Sequence, residues 1–387
     1  MNGTIYMPVG EVCSSISDTY REKKNMVTLI NTSDVLEGRV LNHERVPNSN
    51  LKGQFKKTFQ RDDILYSEIR PQNRRFAYVD FSPIDYIAST KLMVIRAKKD
   101  VVSPKYLYYF LKNSSTVAEL QLLAETRSGT FPQITFSEVA NLTIPVPSLA
   151  VQEVIVQTMQ CLEDKITCNE QINDNLQQQA FSVFDNLIAN AENNDCTVSD
   201  YAFLNPKRTL AKNQVSRSID MSQLSTSGAF PSGWEMKPFN GGMRFTNGDT
   251  LLARITPCLE NGKTAFIDFL DDGEVAFGST EYIVLAPKND TPPEMLYCLA
   301  RYPAFVDYAV KNMNGSSGRQ RVSAETVGQY RLPLFDKHSL VLFKEVVSPM
   351  FLKMRYNSLE NMRLAELRDA LLPKLMSGEI DVSTIQL

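Results

Sequence analysis

Short runs in which apolar and polar residues alternate occur in two separate parts of the chain, and they predict two groups of β-strands. The runs cover residues 63–69, 76–81 and 92–95 in the first part, and 250–255, 264–269 and 282–285 in the second. Gly, Pro, Asn and Asp interrupt the runs, as at turns. A helical segment follows each group, near 104–111 and 293–302, so each part is predicted to be a mixed α/β domain.

Two stretches of about 40 residues follow these domains and contain few helix-breaking residues. The first, 148–190, has no Pro or Gly, whereas the second, 337–376, contains Pro349 and Pro373. Long helices with so few breakers are typical of coiled coils. Pro349 is expected to weaken the second helix locally, because proline removes a backbone hydrogen bond and kinks a helix.

A seam of positions spaced alternately four and three runs along each predicted helix, and the two seams match when 188 is added to each number. Both are apolar towards their ends and polar at the centre, where they carry Asn169 and Asn173, and Asn357 and Asn361. Asparagine at a core position costs stability but fixes register and partner. Antiparallel pairing would bring the two polar centres level, so we predict an antiparallel coiled coil whose register these asparagines set.

The charges of the two helices complement each other. Residues 150–195 contain eight acidic residues and one lysine, whereas 337–376 contain seven basic and four acidic residues. An acidic helix packed along a basic one is favourable. The alternative is that each helix packs separately on its own domain.

The chain also repeats itself at an offset of 186 to 190 residues. Asp, Leu, Ile and Pro recur in register between 63–71 and 249–257, and the later segments Ser128-Gly129 and Ser317-Gly318 correspond. A unit of half the chain excludes a short-period solenoid. We therefore predict an α+β protein with two tandem mixed α/β domains, separated by the two long helices and related by a pseudo-twofold axis. The predicted segments are a first domain 1–147, a helix 148–192, a second domain 193–335, a helix 336–377 and a tail 378–387.

Composition limits the classes of protein that remain. The chain has 387 residues, of which 43% are hydrophobic, enough for two or three domains with their own cores. Its longest apolar runs are far shorter than the roughly 20 residues of a membrane span, and no signal sequence is expected at its N-terminus. The six cysteines form no C-x-x-C pair, so we expect reduced thiols and a cytoplasmic protein.

Evidence for catalytic chemistry is weak. Two histidines exclude a three-histidine metal site. Residues 257–264 resemble a P-loop, but Pro257 stands where the first glycine belongs and a strand, not a helix, is predicted to follow. Asp249, Glu260 and Lys263 suggest a nuclease site only by loose spacing. A metal-dependent nuclease or an NTPase that acts alone therefore remains an alternative, and no cofactor site is expected in this chain.

Basic and amide-rich loops are the stronger signal. Residues 49–99 contain eleven basic and five acidic residues, and 311–321 contain three basic residues and no acid. Arg and Lys neutralise phosphate, and Arg, Gln and Asn can bind base edges bidentately. The alternative is that these loops are simply solvated. The candidate DNA-contact residues are Arg70, Gln72, Asn73, Arg74, Arg75, Arg127, Ser128, Gln133, Arg254, Thr256, Asn261, Lys263, Ser317, Arg319, Gln320 and Arg321.

Three segments of the chain together resemble a known family. They are FTNGDTLLARITPCLENGKTA at 245–265, SSGRQRV at 316–322 and Ile144-Pro145-Val146-Pro147 before the first helix. The sequence closely resembles the DNA specificity subunits of type I restriction–modification enzymes over nearly its whole length. The first copy departs from the pattern, with Asp62 where the second has Gly248 and no Glu-Asn-Gly-Lys at 72–75.

The resemblance implies two target-recognition domains, each of which reads one half of a split target in double-stranded DNA. The two long helices would act as a ruler for the gap and would bind two modification (methyltransferase) subunits. S-adenosylmethionine, and ATP with Mg where restriction subunits join, would belong to those partners. The chain itself would be non-catalytic, bind no cofactor and no membrane, and act in the cytoplasm. A coiled-coil adaptor without a DNA role is the remaining alternative.

Overall fold

The chain forms two compact units. The computed structural model describes residues 4–22, 24–49, 53–127, 131–191, 196–316 and 318–382. The first unit combines the residues up to Glu163 with those from Ala365 onward, and the second is Asp164–Leu364. Each unit therefore contains one globular part and a segment of each long helix. The mixture of helices and sheets makes the protein α+β, as predicted.

In its described residues, the first unit has two four-stranded sheets and two strand pairs. The strands are β1 (Ile5–Pro8), β2 (Cys13–Ile16), β3 (Met26–Ile30), β4 (Val35–Leu36), β5 (Arg39–Val40), β6 (Val46–Pro47), β7 (Phe55–Lys57), β8 (Ile64–Ser67), β9 (Phe76–Tyr78), β10 (Tyr86–Ser89), β11 (Leu92–Ala97) and β12 (Thr143–Val146). One sheet has the order β2-β11-β8-β9 and is antiparallel throughout. The other has the order β6-β3-β10-β7, with β3 and β10 parallel. The pairs are β1 with β12 and β4 with β5.

The second unit repeats this arrangement. Its strands are β13 (Cys196–Thr197), β14 (Ala202–Leu204), β15 (Val215–Ile219), β16 (Glu235–Pro238), β17 (Met243–Phe245), β18 (Thr250–Ala253), β19 (Thr264–Phe266), β20 (Ala276–Gly278), β21 (Tyr282–Pro287) and β22 (Arg331–Leu332). The antiparallel sheet has the order β14-β21-β18-β19. The other has the order β16-β15-β20-β17, and its parallel pair, β15 with β20, lies at the same place as β3 with β10. Apart from the β4–β5 pair of the first unit, the described strands of the two units thus share one topology, which agrees with the sequence repeat.

Helices complete both units. They are α1 (Val9–Val12), α2 (Pro104–Lys112), α3 (Ser114–Arg127), α4 (Phe136–Asn141), α5 (Leu149–Ala189), α6 (Val198–Tyr201), α7 (Pro293–Arg301), α8 (Pro303–Lys311), α9 (Ala324–Gly328) and α10 (Lys337–Ser377). The strands and the first helix predicted in each domain lie within a few residues of their expected positions. Helices α3 and α8, which follow those two helices, and the sheets that contain β3 and β15 were not predicted.

Local contacts and backbone conformation explain where the long helices α5 and α10 begin and where α10 ends. The backbone carbonyl of Ser148 accepts the first helical hydrogen bond of α5, and the side chain of Asp336 accepts the N–H of Ser339 at 2.9 Å at the start of α10. Gly378 adopts a φ of +77° directly after α10, a conformation that ends helices. Pro349 does not interrupt α10, in which it occupies an exposed position.

Each unit buries a segment of both long helices in its own core. In the first unit, Ile155 and Met159 of α5 join Leu372 and Leu375 of α10 in a cluster with the aromatic residues of α2. In the second, Phe184 of α5 joins the α10 residues Phe343, Val347 and Phe351 in a cluster with the residues of α7. Because a fully buried side chain of this size stabilises the fold by about 1.5–3 kcal/mol, these segments are integral parts of the two cores.

A buried aspartate holds the start of the central strand in each unit. Asp63, which is 0% exposed, accepts hydrogen bonds of 2.7 Å from both Nε and Nη2 of Arg96. Its counterpart Asp249 is equally buried and accepts a 2.8 Å bond from Arg208, which comes from a different part of the chain. Burial raises the pKa of Asp249 to about 6, although Arg208 opposes the shift.

We expect Arg96→Ala to lower the free energy of unfolding by about 3 kcal/mol, because it leaves the Asp63 carboxylate buried without its partner. Lys99→Ala is the matched control: Lys99 pairs with the neighbouring Asp62 but is 62% exposed, and such exposed pairs contribute less than about 1 kcal/mol. Urea unfolding measures both changes. Equal unfolding of the two variants would contradict a structural role of the buried pair.

Candidate DNA interface

Two segments that are distant in the sequence pair through their backbones in the second unit. The N–H of Thr256 donates to the carbonyl of Gln320 at 3.0 Å, and that of Val322 donates to the carbonyl of Arg254, also at 3.0 Å. The sequence motifs at 254–263 and 316–322 therefore meet at the end of β18. We call this arrangement the second loop pair.

The described residues of the 316–322 motif lie mostly in a short hairpin between Asn314 and Arg321. Asn314 and Arg321 close it by exchanging two backbone hydrogen bonds of 2.9 Å. Gly315 and Gly318 have positive φ angles of +130° and +80°, which only glycine adopts without strain. Arg319 is exposed on this hairpin, Gln320 is half-buried, and Ser317 lies outside the described residues.

The first unit contains the same backbone pairing. The N–H of Arg70 donates to the carbonyl of Pro132 at 3.1 Å, and that of Ile134 donates to the carbonyl of Glu68 at 2.9 Å. This is the first loop pair, formed by residues 68–75 and 131–134. Ser128 and the side chain of Arg127 lie outside the part of the chain that the structure describes.

Some candidate residues of the first loop pair are exposed and others are engaged within the unit. Arg70, Gln72 and Asn73 are exposed around a turn of 3₁₀ helix at Pro71–Asn73. In contrast, Arg74 donates to the hydroxyl of Ser114 at 3.0 Å, Arg75 donates to the carbonyl of Ser33 at 2.9 Å, and Gln133 accepts from Lys91 at 3.2 Å. The last three residues therefore brace the loops.

The second loop pair is divided in the same way. Asn261 is exposed in the turn after Pro257, and its N–H donates to the Pro257 carbonyl at 3.0 Å. Lys263 donates to the backbone carbonyl of Met221 at 2.6 Å, and the Thr256 hydroxyl lies 3.4 Å from the carboxylate of Glu260. Arg254 is half-buried. Among the described members of the predicted set in this unit, Asn261 and Arg319 are thus the exposed polar side chains.

Sequence reasoning missed two charged residues that contact the loop pairs from the neighbouring strand. Glu281 binds the guanidinium of Arg321 with both carboxylate oxygens, at 2.7 to 3.0 Å, and Arg321 holds the pKa of this carboxyl below its usual range. Lys91 occupies the corresponding position in the first unit and contacts Glu68 at 3.4 Å. The repeat contained a signal for both, because Lys91 follows Ser89-Thr90 as Glu281 follows Ser279-Thr280.

The structure corrects the nuclease alternative. Asp249 is buried against Arg208 and so cannot share a metal ion with Glu260, and Lys263, which would have to act beside such a metal, is bound to a backbone carbonyl. No group of three His, Cys, Asp or Glu side chains that could hold a metal occurs among the described residues. No helix in the described segments has the length and apolar character to cross a membrane.

The four seam asparagines meet in pairs in the second unit. Asn169 donates to the side-chain oxygen of Asn361, and Asn357 donates to that of Asn173, both at 2.8 Å. Asn169 also donates to Glu360 at 2.7 Å. Because the partner number falls as the α5 number rises, α5 and α10 run antiparallel here.

Comparisons with known proteins agree with these features. Residues 6–178 match the family model described as the type I restriction modification DNA specificity domain. The chain is 30% identical to the type I restriction enzyme HindI specificity subunit of Haemophilus influenzae, over 92% of this chain and 94% of that protein. It is 22% identical to the MjaIX specificity subunit of Methanocaldococcus jannaschii, over 79% of this chain and 77% of that protein. The fold is shared with a crystal structure of a type I S subunit from M. genitalium, with a TM-score of 0.54, 16% identity and coverage of 97% and 96%.

These comparisons place the protein in the class of non-catalytic subunits that recognise DNA sequence. The chain belongs to the family of type I restriction enzyme specificity subunits, since the Haemophilus relative matches it over almost the whole length of both proteins.

We expect the single change Asn357→Leu to destabilise the second unit by about 1 kcal/mol, because it removes a buried amide and leaves the side-chain oxygen of half-buried Asn173 without its donor. The double change Asn173→Leu with Asn357→Leu should cost less than the sum of the two single changes. Thermal melting of the four proteins measures this coupling. Asn175→Leu, at an exposed position of α5, is the control, and additive effects would show that the two asparagines do not interact.

Proposed function

We propose that each unit reads one half of a bipartite DNA target through the exposed side chains of its loop pair. The observation that carries this proposal is the repetition of one backbone-paired loop arrangement in both units. In each unit, exposed Arg and amide side chains project from that arrangement: Arg70, Gln72 and Asn73 in the first, and Asn261 and Arg319 in the second.

The chemistry of these side chains suits the reading of bases. Arginine binds guanine bidentately in the major groove, and Asn or Gln binds adenine in the same way. Gly315 and Gly318 leave the hairpin backbone uncovered, so that it can approach phosphate closely. Because the exposed residues differ between the units, the two half-sites should differ in sequence. Arg74, Arg75, Gln133 and Lys263 would support the loops from within.

The helices α5 and α10 would set the gap between the half-sites as an antiparallel coiled coil with pseudo-twofold symmetry. The asparagine pairs support this, because paired polar residues in an apolar seam penalise every other register. Each helix has 41 residues and is about 60 Å long, more than one DNA turn of about 34–36 Å. The reading domains would be 1–147 and 193–335.

The same helices would bind two modification subunits. Large apolar side chains that are 43–56% exposed lie along α10, among them Leu342, Leu352, Tyr356 and Leu367. An open apolar groove of about 500 Å³ lies between the end of α5 and the start of α10 in the second unit. Exposed apolar surface of this kind favours protein partners. Those subunits would bind S-adenosylmethionine and methylate adenine, and restriction subunits would use ATP and Mg, all in the cytoplasm with the DNA.

A domain exchange tests the proposal. Residues 193–335 are replaced by the corresponding segment of another specificity subunit, and methylated adenines are mapped in cells that also express the modification subunit. We expect one half of the methylated motif to change and the other half and the gap to stay. Methylation in which both halves stay the same would overturn the two-reader proposal.

Arg319→Ala should weaken binding to the target duplex by about tenfold or more, because one good bidentate base contact contributes about 1–3 kcal/mol. Lys337→Ala is the control, since Lys337 pairs with Asp290 at the start of α10. Titration of the complex with modification subunits against labelled duplex measures both. Equal affinities of the two variants would exclude Arg319 as a DNA contact.

A further inference from the structure

The two units place side chains of opposite charge at the same backbone position. Lys91 and Glu281 each follow a serine whose hydroxyl accepts their N–H, Ser89 at 3.3 Å and Ser279 at 3.1 Å. Both residues therefore directly precede the strand next to the loop pair, in the same type of turn.

The backbone around this position is also the same in both units. The N–H of Glu68 donates to the carbonyl of Lys91, and the N–H of Arg254 donates to the carbonyl of Glu281, each at 3.0 Å. A bridge between Ile69 and Gln133 in the first unit corresponds to one between Ile255 and Arg321 in the second. Three positions are therefore equivalent: 68 with 254, 91 with 281, and 133 with 321.

The side chains at these positions are complementary within each unit, but the sign of the central charge is reversed between the units. In the first, the ammonium of Lys91 contacts Glu68 at 3.4 Å and Gln133 at 3.2 Å. In the second, the carboxylate of Glu281 binds Arg321, and the charge of Arg254 also lowers the pKa of Glu281. The central charge is positive in the first unit, beside Glu68 and Gln133, and negative in the second, beside Arg254 and Arg321.

A carboxylate repels phosphate, so a central position that is negative in the second unit is not a phosphate contact common to both units. What the two units share is the closed pair between the strand and the two loop segments. We propose that Lys91 and Glu281 are positioning residues that hold the reading loops in register, and that Arg321 acts on DNA only through Glu281. The part of this inference that concerns DNA rests on the proposed function.

The loss of this pairing should reduce selectivity for the target. Without Glu281, the hairpin loses its side-chain link to the strand that begins at Tyr282, and Arg321, which donates to the backbone carbonyl of Arg319 at 3.1 Å, loses the partner that orients it. The released charge of Arg321 would be free to attract any phosphate. Target binding should therefore weaken while binding to unrelated DNA is kept or increased, which a purely structural defect would not produce.

The test uses the complex with modification subunits and two duplexes of equal length, the mapped target and a scrambled sequence. We expect Glu281→Lys, which gathers three positive charges, to weaken target binding by about tenfold and not to weaken binding to the scrambled duplex. Glu281→Asp keeps a carboxylate and should stay within about threefold of the unchanged protein.

The decisive variant transfers the first unit's set into the second: Arg254→Glu, Glu281→Lys and Arg321→Gln together. If the pairing alone matters, this triple variant should regain target affinity relative to Glu281→Lys alone. A triple variant that folds but stays as weak as Glu281→Lys would overturn the inference, because Arg254 or Arg321 would then contact DNA directly.

The same variants distinguish failure of this inference from failure of the proposed function. If Arg319→Ala weakens target binding but the triple variant does not regain target affinity, only the positioning role fails. If neither Arg319→Ala nor Glu281→Lys changes target binding, the proposed function fails. Should the second-unit variants not fold, Lys91→Gln in the first unit repeats the test. It should relax only the other half-site, and an unchanged half-site would overturn the inference.

Discussion

The burial of both long helices in the core of each unit is the constraint on which the rest of the structure depends. Ile155 and Leu375 lie in the core of the first unit, and Phe184 and Phe343 in that of the second. Neither globular part could therefore release its helix segments without exposing apolar core surface. Buried polar contacts add direction to this packing: Gln152 accepts the N–H of Ser103 in the first unit, and Gln177 accepts the hydroxyl of Tyr297 in the second. These contacts fix how each helix segment is rotated against its sheet.

The sequence was sufficient to predict the features that depend on uninterrupted periodicity. The helices expected at about 148–190 and 337–376 cover Leu149–Ala189 and Lys337–Ser377. The repeat could be recognised because both copies keep the same buried strands, such as those that begin at Ile64 and Thr250. The asparagines could be paired on paper because a helix converts spacing in the sequence directly into positions on one face.

The remaining features depend on contacts between residues far apart in the chain. The sheets that contain β3 and β15 also use strands of two to four residues with many exposed side chains, so they carry little alternation. Within the candidate site, the sequence identified the segments but not the roles of individual residues. Arg75 and Lys263 each donate to a backbone carbonyl that lies 42 residues away in the sequence. Neither hydrogen bond can be predicted from the neighbouring residues. Only the fold separates the exposed Arg319 from the engaged Arg321.

The two units differ most where a pairing can be closed by more than one set of residues. The buried aspartate is Asp63 in one unit and Asp249 in the other, yet its arginine comes from a strand in the first and from a loop in the second. At the loop pairs even the sign of the central charge differs. The residue pairs that hold the loops need only be complementary, and not identical, in the two units. Such a fold places few limits on which residues its loops expose. One scaffold can then present different surfaces, as the proposed recognition of two unlike half-sites by a duplicated domain requires.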